Sequence, residues 1–283
     1  MTKNNLIYLN LILVAIFTLL SFVFDQLVIN SEDKIREYNF LHKQSYNNYL
    51  KSKNLAINLK DGSNRGMFKL EAFQAREDFL WTAVQKVSDK DYATKTYDIE
   101  KYKGLHGNLK SIFINRYKSL AYKLLLEAER SKNIFNSLAI RPIKHAKLDL
   151  KKKKTLEEMN SRILEYSVEF NANIDLKLIE PYREQTIKNS DIKVIKYEDL
   201  MPVRNDFMKA KEIYKKNIEI MLNLTDFYGV IFQFSIRQAR EFREIKNSFE
   251  SKKNFYILFS VLSQILSLFF LIFLFKSLLR IEK

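Results

Sequence analysis

The chain has 283 residues, with 48 Lys+Arg against 33 Asp+Glu, no Cys, 5 Gly and 3 Pro. So few chain breakers, together with 29% charged residues, exclude a β-sandwich, a collagen-like chain and a disordered tail. The missing Cys excludes disulfides, thiolate metal sites, iron–sulfur clusters and cysteine catalysis, and three His at 42, 106 and 145 leave little for a His-based metal site.

Leu6 to Phe24 is a 19-residue stretch without a charge, and Phe255 to Phe275 is a second one of 21 residues. A helix needs about 20 apolar residues to cross a bilayer, so each is long enough to span. The first exceeds the roughly 7–15-residue core of a cleaved signal. Asp25-Gln26-Leu27-Val28-Ile29-Asn30 also offers no small-residue cleavage site, so an uncleaved anchor is expected. Two spans put residues 1–5 and 276–283 on one side of a membrane and residues 25–254 on the other. Lys3 precedes the first span, while Asp25, Glu32 and Asp33 follow it before any Lys; Lys276, Arg280 and Lys283 follow the second. The excess of Lys and Arg on cytoplasmic flanks therefore places both tails inside and the domain outside. Lys252 and Lys253, with 44 basic against 32 acidic residues over 25–254, pull the other way. Long loops translocate largely regardless of charge, so this weighs little.

Asn10, Thr18 and Ser21 fall within one stripe of the first span, and Ser260, Ser263, Gln264 and Ser267 within one stripe of the second. Small polar side chains join membrane helices, so these seven residues are the candidates for pairing the spans, within the chain or between copies. Neither span carries a charge, which disfavours a proton or ion path.

Between the spans the sequence has no internal repeat, and five segments carry helical periodicity. The first, about 31–59, aligns Ile35, Tyr38, Leu41 and Tyr49. Asp61-Gly62-Ser63-Asn64-Arg65-Gly66 reads as the clearest turn in the chain, with Ser63 exposed in it. The second segment, about 67–88, groups Phe73, Leu80, Val84 and Val87. The third, about 108–138, repeats at Leu109, Phe113, Tyr117, Leu120, Leu124, Ala128, Phe135 and Leu138. The fourth opens on a Thr155/Glu158 capping box and steps through Leu156, Met159, Ile163, Tyr166, Phe170 and Ile174, with Pro181 as its end or kink. The fifth starts near Val203 and can run into the second span, with Ala239, Phe242, Ile245 and Phe249 on its lower face and Gly229 as a candidate break. At about 1.5 Å per residue this last helix implies a stalk or an elongated bundle. Ile140–Leu150 and Ile192–Tyr197 resist the helical reading and leave room for a small two-stranded pairing. The expected architecture is thus mostly α: transmembrane helices at 6–24 and 255–275 flanking an elongated helical-bundle domain at 25–254, with a short cytoplasmic tail at 276–283.

The sequence contains no phosphate-cradling glycine loop, no Glu-x-x-His and no Gly-x-Ser-x-Gly elbow, so neither catalysis nor a cofactor is implied. Glu157 and Glu158 are adjacent and point to different helix faces, which is helix-start charge rather than an acid/base pair. Lys151-Lys152-Lys153-Lys154, with Lys144 and Lys147 upstream, is the densest charge cluster. It is the candidate contact for anionic lipid headgroups or acidic polysaccharide; nucleic acid does not suit a domain outside the cell. Many aromatic residues fall at helix seams and Trp81 is expected in the core, whereas Tyr46, Tyr49, Tyr92 and Tyr97 fit a seam less well and are candidates for contacts with sugars or apolar ligands.

The order of span, helical domain and span resembles the sensor half of bacterial chemoreceptors and sensor kinases, by architecture alone. No coupling helix pair, kinase or methylation helix follows the second span, so a signal is expected to leave through a membrane-protein partner. The layout also resembles polysaccharide co-polymerases, which set polymer length as rings, although their Pro-rich stretch before the second span is missing; residues 203–254 contain no Pro. A structural subunit of a larger membrane complex fits as well. The expected protein is a membrane-anchored scaffold or sensor-like envelope protein, not an enzyme, in a bacterial or organellar inner membrane. Its expected partners are membrane lipid and a second copy or a membrane protein.

Overall fold

The computed structural model describes residues 3–88, 103–145, 148, 150–172 and 200–279. Four helices account for nearly all of them: α1 (Lys3–Ser88), α2 (Lys103–Ser137), α3 (Leu150–Ala172) and α4 (Met201–Leu279). The protein is mostly α, and the described residues contain no strand. The chain divides into two compact units: Met1–Tyr49 with Gln233–Lys283, and Leu50–Phe232. Both α1 and α4 contribute to each unit.

In the first unit, α1 and α4 lie antiparallel. Tyr38 packs on Phe242 and Phe249, with ring centroids 6.1 and 5.9 Å apart. His42 Nδ1 lies 2.9 Å from the Ala239 carbonyl oxygen, and Lys253 pairs with Glu32 at 2.6 Å. Towards the ends of the chain Phe17 stacks on Phe270 and Phe24 on Tyr256. Each helix carries a stretch long and apolar enough to cross a membrane. Its apolar side chains are mostly turned outward: Leu19 is 65% exposed and Leu258 64%. The expected lower face of α4 is only partly inward, since Phe242 is buried and Ile245 exposed.

The second unit holds the larger core. On α4, Phe207, Ala210, Tyr214, Asn217, Met221, Leu224, Tyr228 and Ile231 are all buried, stepping alternately by three and four. That is the spacing of a coiled-coil seam. Asn217 is fully buried in this row with no protein hydrogen-bond partner for its amide among the described residues. A polar side chain in such a seam costs stability and penalises other registers. Opposite it, α1 presents Ser52, Leu59, Gly66, Phe73 and Leu80, each seven residues after the last and all buried. α2 adds Phe113, Tyr117, Ala121, Leu124, Ala128 and Phe135, and α3 adds Leu156, Ile163 and Phe170. Phe135 stacks on Phe170 with centroids 4.1 Å apart.

Four expectations are corrected. The first concerns 61–66, which is not a turn but the interior of α1, so the segments 31–59 and 67–88 are parts of one helix. The two glycines serve close packing: a Cβ on Gly66 would lie 2.8 Å from Ile218 Cγ1, and one on Gly62 3.4 Å from Met221 Sδ. Ser63, expected to be exposed, is completely buried and returns its hydroxyl to the Lys60 carbonyl. Second, Gly229 does not break α4. The helix begins at Met201, with Pro202 in its first turn, where a missing N–H costs little. Third, Thr155 is not a cap. α3 begins at Leu150, and the Thr155 hydroxyl donates to the Lys151 carbonyl. Lysine is a good helix former, so the run 151–154 is drawn into the helix.

The fourth correction is at Ile140–Leu150, whose described residues up to Leu148 form an irregular connection rather than a strand. The Ile143 N–H donates to Asn160 Oδ1 at 3.0 Å, and Asn160 Nδ2 donates to the Ile143 carbonyl at 2.9 Å. Both backbone groups that a strand would pair are thus taken by one side chain of α3. Ile192–Tyr197, Pro181, Tyr92 and Tyr97 lie outside the described residues. Ala139, just past α2, takes a left-handed φ of 47° that closes the end of the helix.

The two glycines facing different surroundings give a paired expectation. Gly66→Leu should destabilise by about 1–3 kcal/mol, because the added side chain has no room against Ile218. Gly229→Ala, whose Cβ would meet nothing within 4 Å, should stabilise by about 1 kcal/mol through helix propensity. Unfolding midpoints of the purified variants, followed by circular dichroism, check both signs.

Candidate functional site

In the first unit the polar side chains of the two apolar stretches meet. Ser21 Oγ lies 3.2 Å from Ser260 Oγ, and Gln264 Nε2 donates to Ser21 Oγ at 3.1 Å and to Ser260 Oγ at 3.4 Å. The Ser260 hydroxyl donates to Asp25 Oδ1 at 2.6 Å. Thr18 Oγ1 lies 2.9 Å from Ser267 Oγ and 2.8 Å from the Val14 carbonyl oxygen. Asn10 and Ser263 are buried as well. Ser21, Ser260 and Gln264 thus form one network with Asp25, and Thr18 and Ser267 form a separate pair. Such bonds contribute roughly 0.6–2 kcal/mol each where lipid offers no alternative partner. The seam also lines a shallow groove of about 420 Å³ with Phe22, Leu268 and Leu271.

The anionic-contact candidates are less focused. Lys151 to Lys154 occupy the first turns of α3, where successive residues are rotated by about 100°. Their ammonium groups therefore spread round the helix instead of meeting on one surface. Lys153 lies 4.0 Å from Glu157 across one turn, and Lys144 is exposed on the connection before α3. Lys147 lies outside the described residues. Tyr46 stacks between His42 and Tyr49, which ties it into a side-chain ladder along α1.

A third arrangement was not anticipated. Glu77, only 1% exposed, sits in the stripe of Phe73, Leu80 and Val84 in the second unit. Arg204 Nε donates to its Oε1 at 2.8 Å, and the Tyr117 hydroxyl donates to the same oxygen at 3.3 Å. The Arg204 guanidinium lies 3.8 Å from the Trp81 ring centroid. Gln74 reaches Glu77 Oε2 at 3.3 Å and receives a hydrogen bond from Lys211. One buried carboxylate thus ties α1, α2 and α4 together. The sequence signal was a charged residue in an otherwise apolar stripe; its partner is 127 positions away and carries no such mark.

No protein-family model matches the chain, and no curated protein or solved structure matches it either.

The Glu77–Arg204 pair should respond asymmetrically. Arg204→Met leaves a buried carboxylate without its cation and should cost about 3 kcal/mol or more, whereas Glu77→Gln leaves a guanidinium that still reaches solvent and should cost only about 1–2 kcal/mol. Denaturant unfolding of both variants gives the order, and equal costs would show that burial at Glu77 is not the controlling factor.

Two core tyrosines set an alkaline limit. Burial, reinforced by the nearby Glu127 carboxylate, pushes Tyr214 up to about 12, and burial pushes Tyr228, whose hydroxyl donates to the Arg141 carbonyl at 2.9 Å, to about 12. Above pH ~10 the unfolded chain releases these protons while the folded chain keeps them, so stability falls as pH rises. The expected loss between pH ~10 and ~12 is about 1.4 kcal/mol per pH unit for each tyrosine, and Tyr214→Phe should roughly halve the combined slope; unfolding midpoints across that range read it directly.

Proposed function

We propose that this chain is a membrane-anchored helical scaffold or sensor-like envelope protein that acts through protein partners and performs no catalysis of its own. The observation that carries this reading is the first unit: two antiparallel helix stretches joined through a serine–glutamine–aspartate seam, with apolar side chains turned outward. In water such a surface is costly; in lipid it is the ordinary exterior of a helix pair whose backbone groups are satisfied internally. α1 and α4 run unbroken from these stretches into the second unit, which suits a protein that holds or conveys a position rather than one that transforms a substrate. In this reading residues 25–254 face away from the cytoplasm, in a bacterial or organellar inner membrane. The partner is a second copy or another membrane protein, engaged alongside membrane lipid.

The missing Cys allows a clean test. Asn64 is exposed on α1 beside buried Ser63. Asn64→Cys should react with a membrane-impermeant maleimide in intact cells, while Ser63→Cys should react only after unfolding. Labelling of Asn64→Cys solely after permeabilisation would place the domain inside and end the envelope reading. A monodisperse monomer in mild detergent, with no co-purifying membrane protein, would end the scaffold reading.

A further inference from the structure

A cleft of about 510 Å³ lies between α1 and α2 in the second unit, lined by Ala75, Arg76, Phe79, Leu80, Arg116, Ser119, Leu120 and Lys123. Its volume is in the range of small-molecule sites. The lining combines two guanidinium groups, one ammonium and one hydroxyl with an apolar wall. On α2, Arg116, Ser119, Leu120 and Lys123 are spaced i, i+3, i+4, i+7, so the helix presents them on one face. None of the three cations forms an ion pair among the described residues. The neighbouring acids are engaged elsewhere: Glu127 pairs with Lys69 and Arg130, and Asp78 accepts from Gln74 at 2.7 Å. Phe79, at the cleft, is 75% exposed.

We propose that this cleft binds a phosphomonoester carrying an apolar group, from either a lipid headgroup or a soluble molecule. Two arginine forks match the geometry of phosphate oxygens, and three positive charges suit a group carrying nearly two negative ones. Phe79, Leu80 and Leu120 cover the apolar part. The requirement for both parts separates this site from the Lys151–Lys154 run, where charge stands alone. The inference is independent of the membrane topology, because binding to the folded chain does not depend on which side the domain faces.

The test uses the full chain in an uncharged detergent and three probes: dihexanoyl phosphatidic acid, phenyl phosphate and inorganic phosphate. Isothermal titration should show saturable binding of at least one of the first two, at least tenfold tighter than inorganic phosphate. Arg116→Gln and Arg76→Gln should each weaken it by about tenfold, the usual loss for one charge-assisted contact. Lys151→Gln/Lys152→Gln/Lys153→Gln/Lys154→Gln should bind as the parent does. Because the mutated cleft residues are exposed, unchanged helical content and unfolding midpoint should accompany the loss. Preference for phosphatidic acid supports a lipid source, and equal or tighter binding of phenyl phosphate supports a soluble one. Absence of saturable binding, equal affinity for inorganic phosphate, or a loss that follows the lysine run instead of the arginines overturns the proposal.

Discussion

α1 and α4 can pair closely only where one of them gives up side-chain volume. In the second unit that happens at Gly66, where the helices approach too closely for a larger residue to fit without displacing Ile218, while Gly62 faces Met221 one turn earlier. Ser52 and Ser63, both fully buried, are further small residues inside this unit on α1. Large side chains on α4, including Tyr214, Met221 and Tyr228, fill the space that α1 vacates. Interiors pack at crystal-like density, so small rows must face large ones.

Among the described buried side chains, charge is rare. Glu77 is buried among apolar side chains and held by Arg204 and Tyr117, so the cost of burying its charge is offset by an ion pair and a hydrogen bond. Its guanidinium partner is stacked on Trp81, so the pair is oriented from two directions. The seam of the first unit employs neutral hydroxyls and an amide for the same purpose, with Asp25 at one end. Neutral groups suit a surface proposed to meet lipid, where an ion within the apolar stretch would be expensive. The cleft cations in the second unit are different in kind, being exposed and without acidic partners among the described residues. An anionic ligand of the proposed kind would complement them.

The chain's own residue order determined its helical character, its two apolar stretches and most of its core. Phe113, Tyr117, Leu124, Ala128, Leu156, Ile163 and Phe170 were recognisable by spacing alone, and all are buried, because a helix face that meets a core must repeat every three or four residues. Ser21, Ser260 and Gln264, each in a stripe by the same spacing, hydrogen-bond to one another in the first unit. Tertiary structure decided what spacing does not record: which helix covers which face. Asp61–Gly66 carries the composition of a turn, yet it is helical, because the pairing with α4 rewards residues without bulk there and outweighs the weak local preference of glycine. Ser63 followed it into the core. The Glu77–Arg204 pair and the Arg76, Arg116 and Lys123 cleft join residues from different helices, and periodicity along one helix says nothing of the side chains on another. Local order fixes the shape and polarity of each helix; the long-range contacts, which exist only once the helices pack, create the sites.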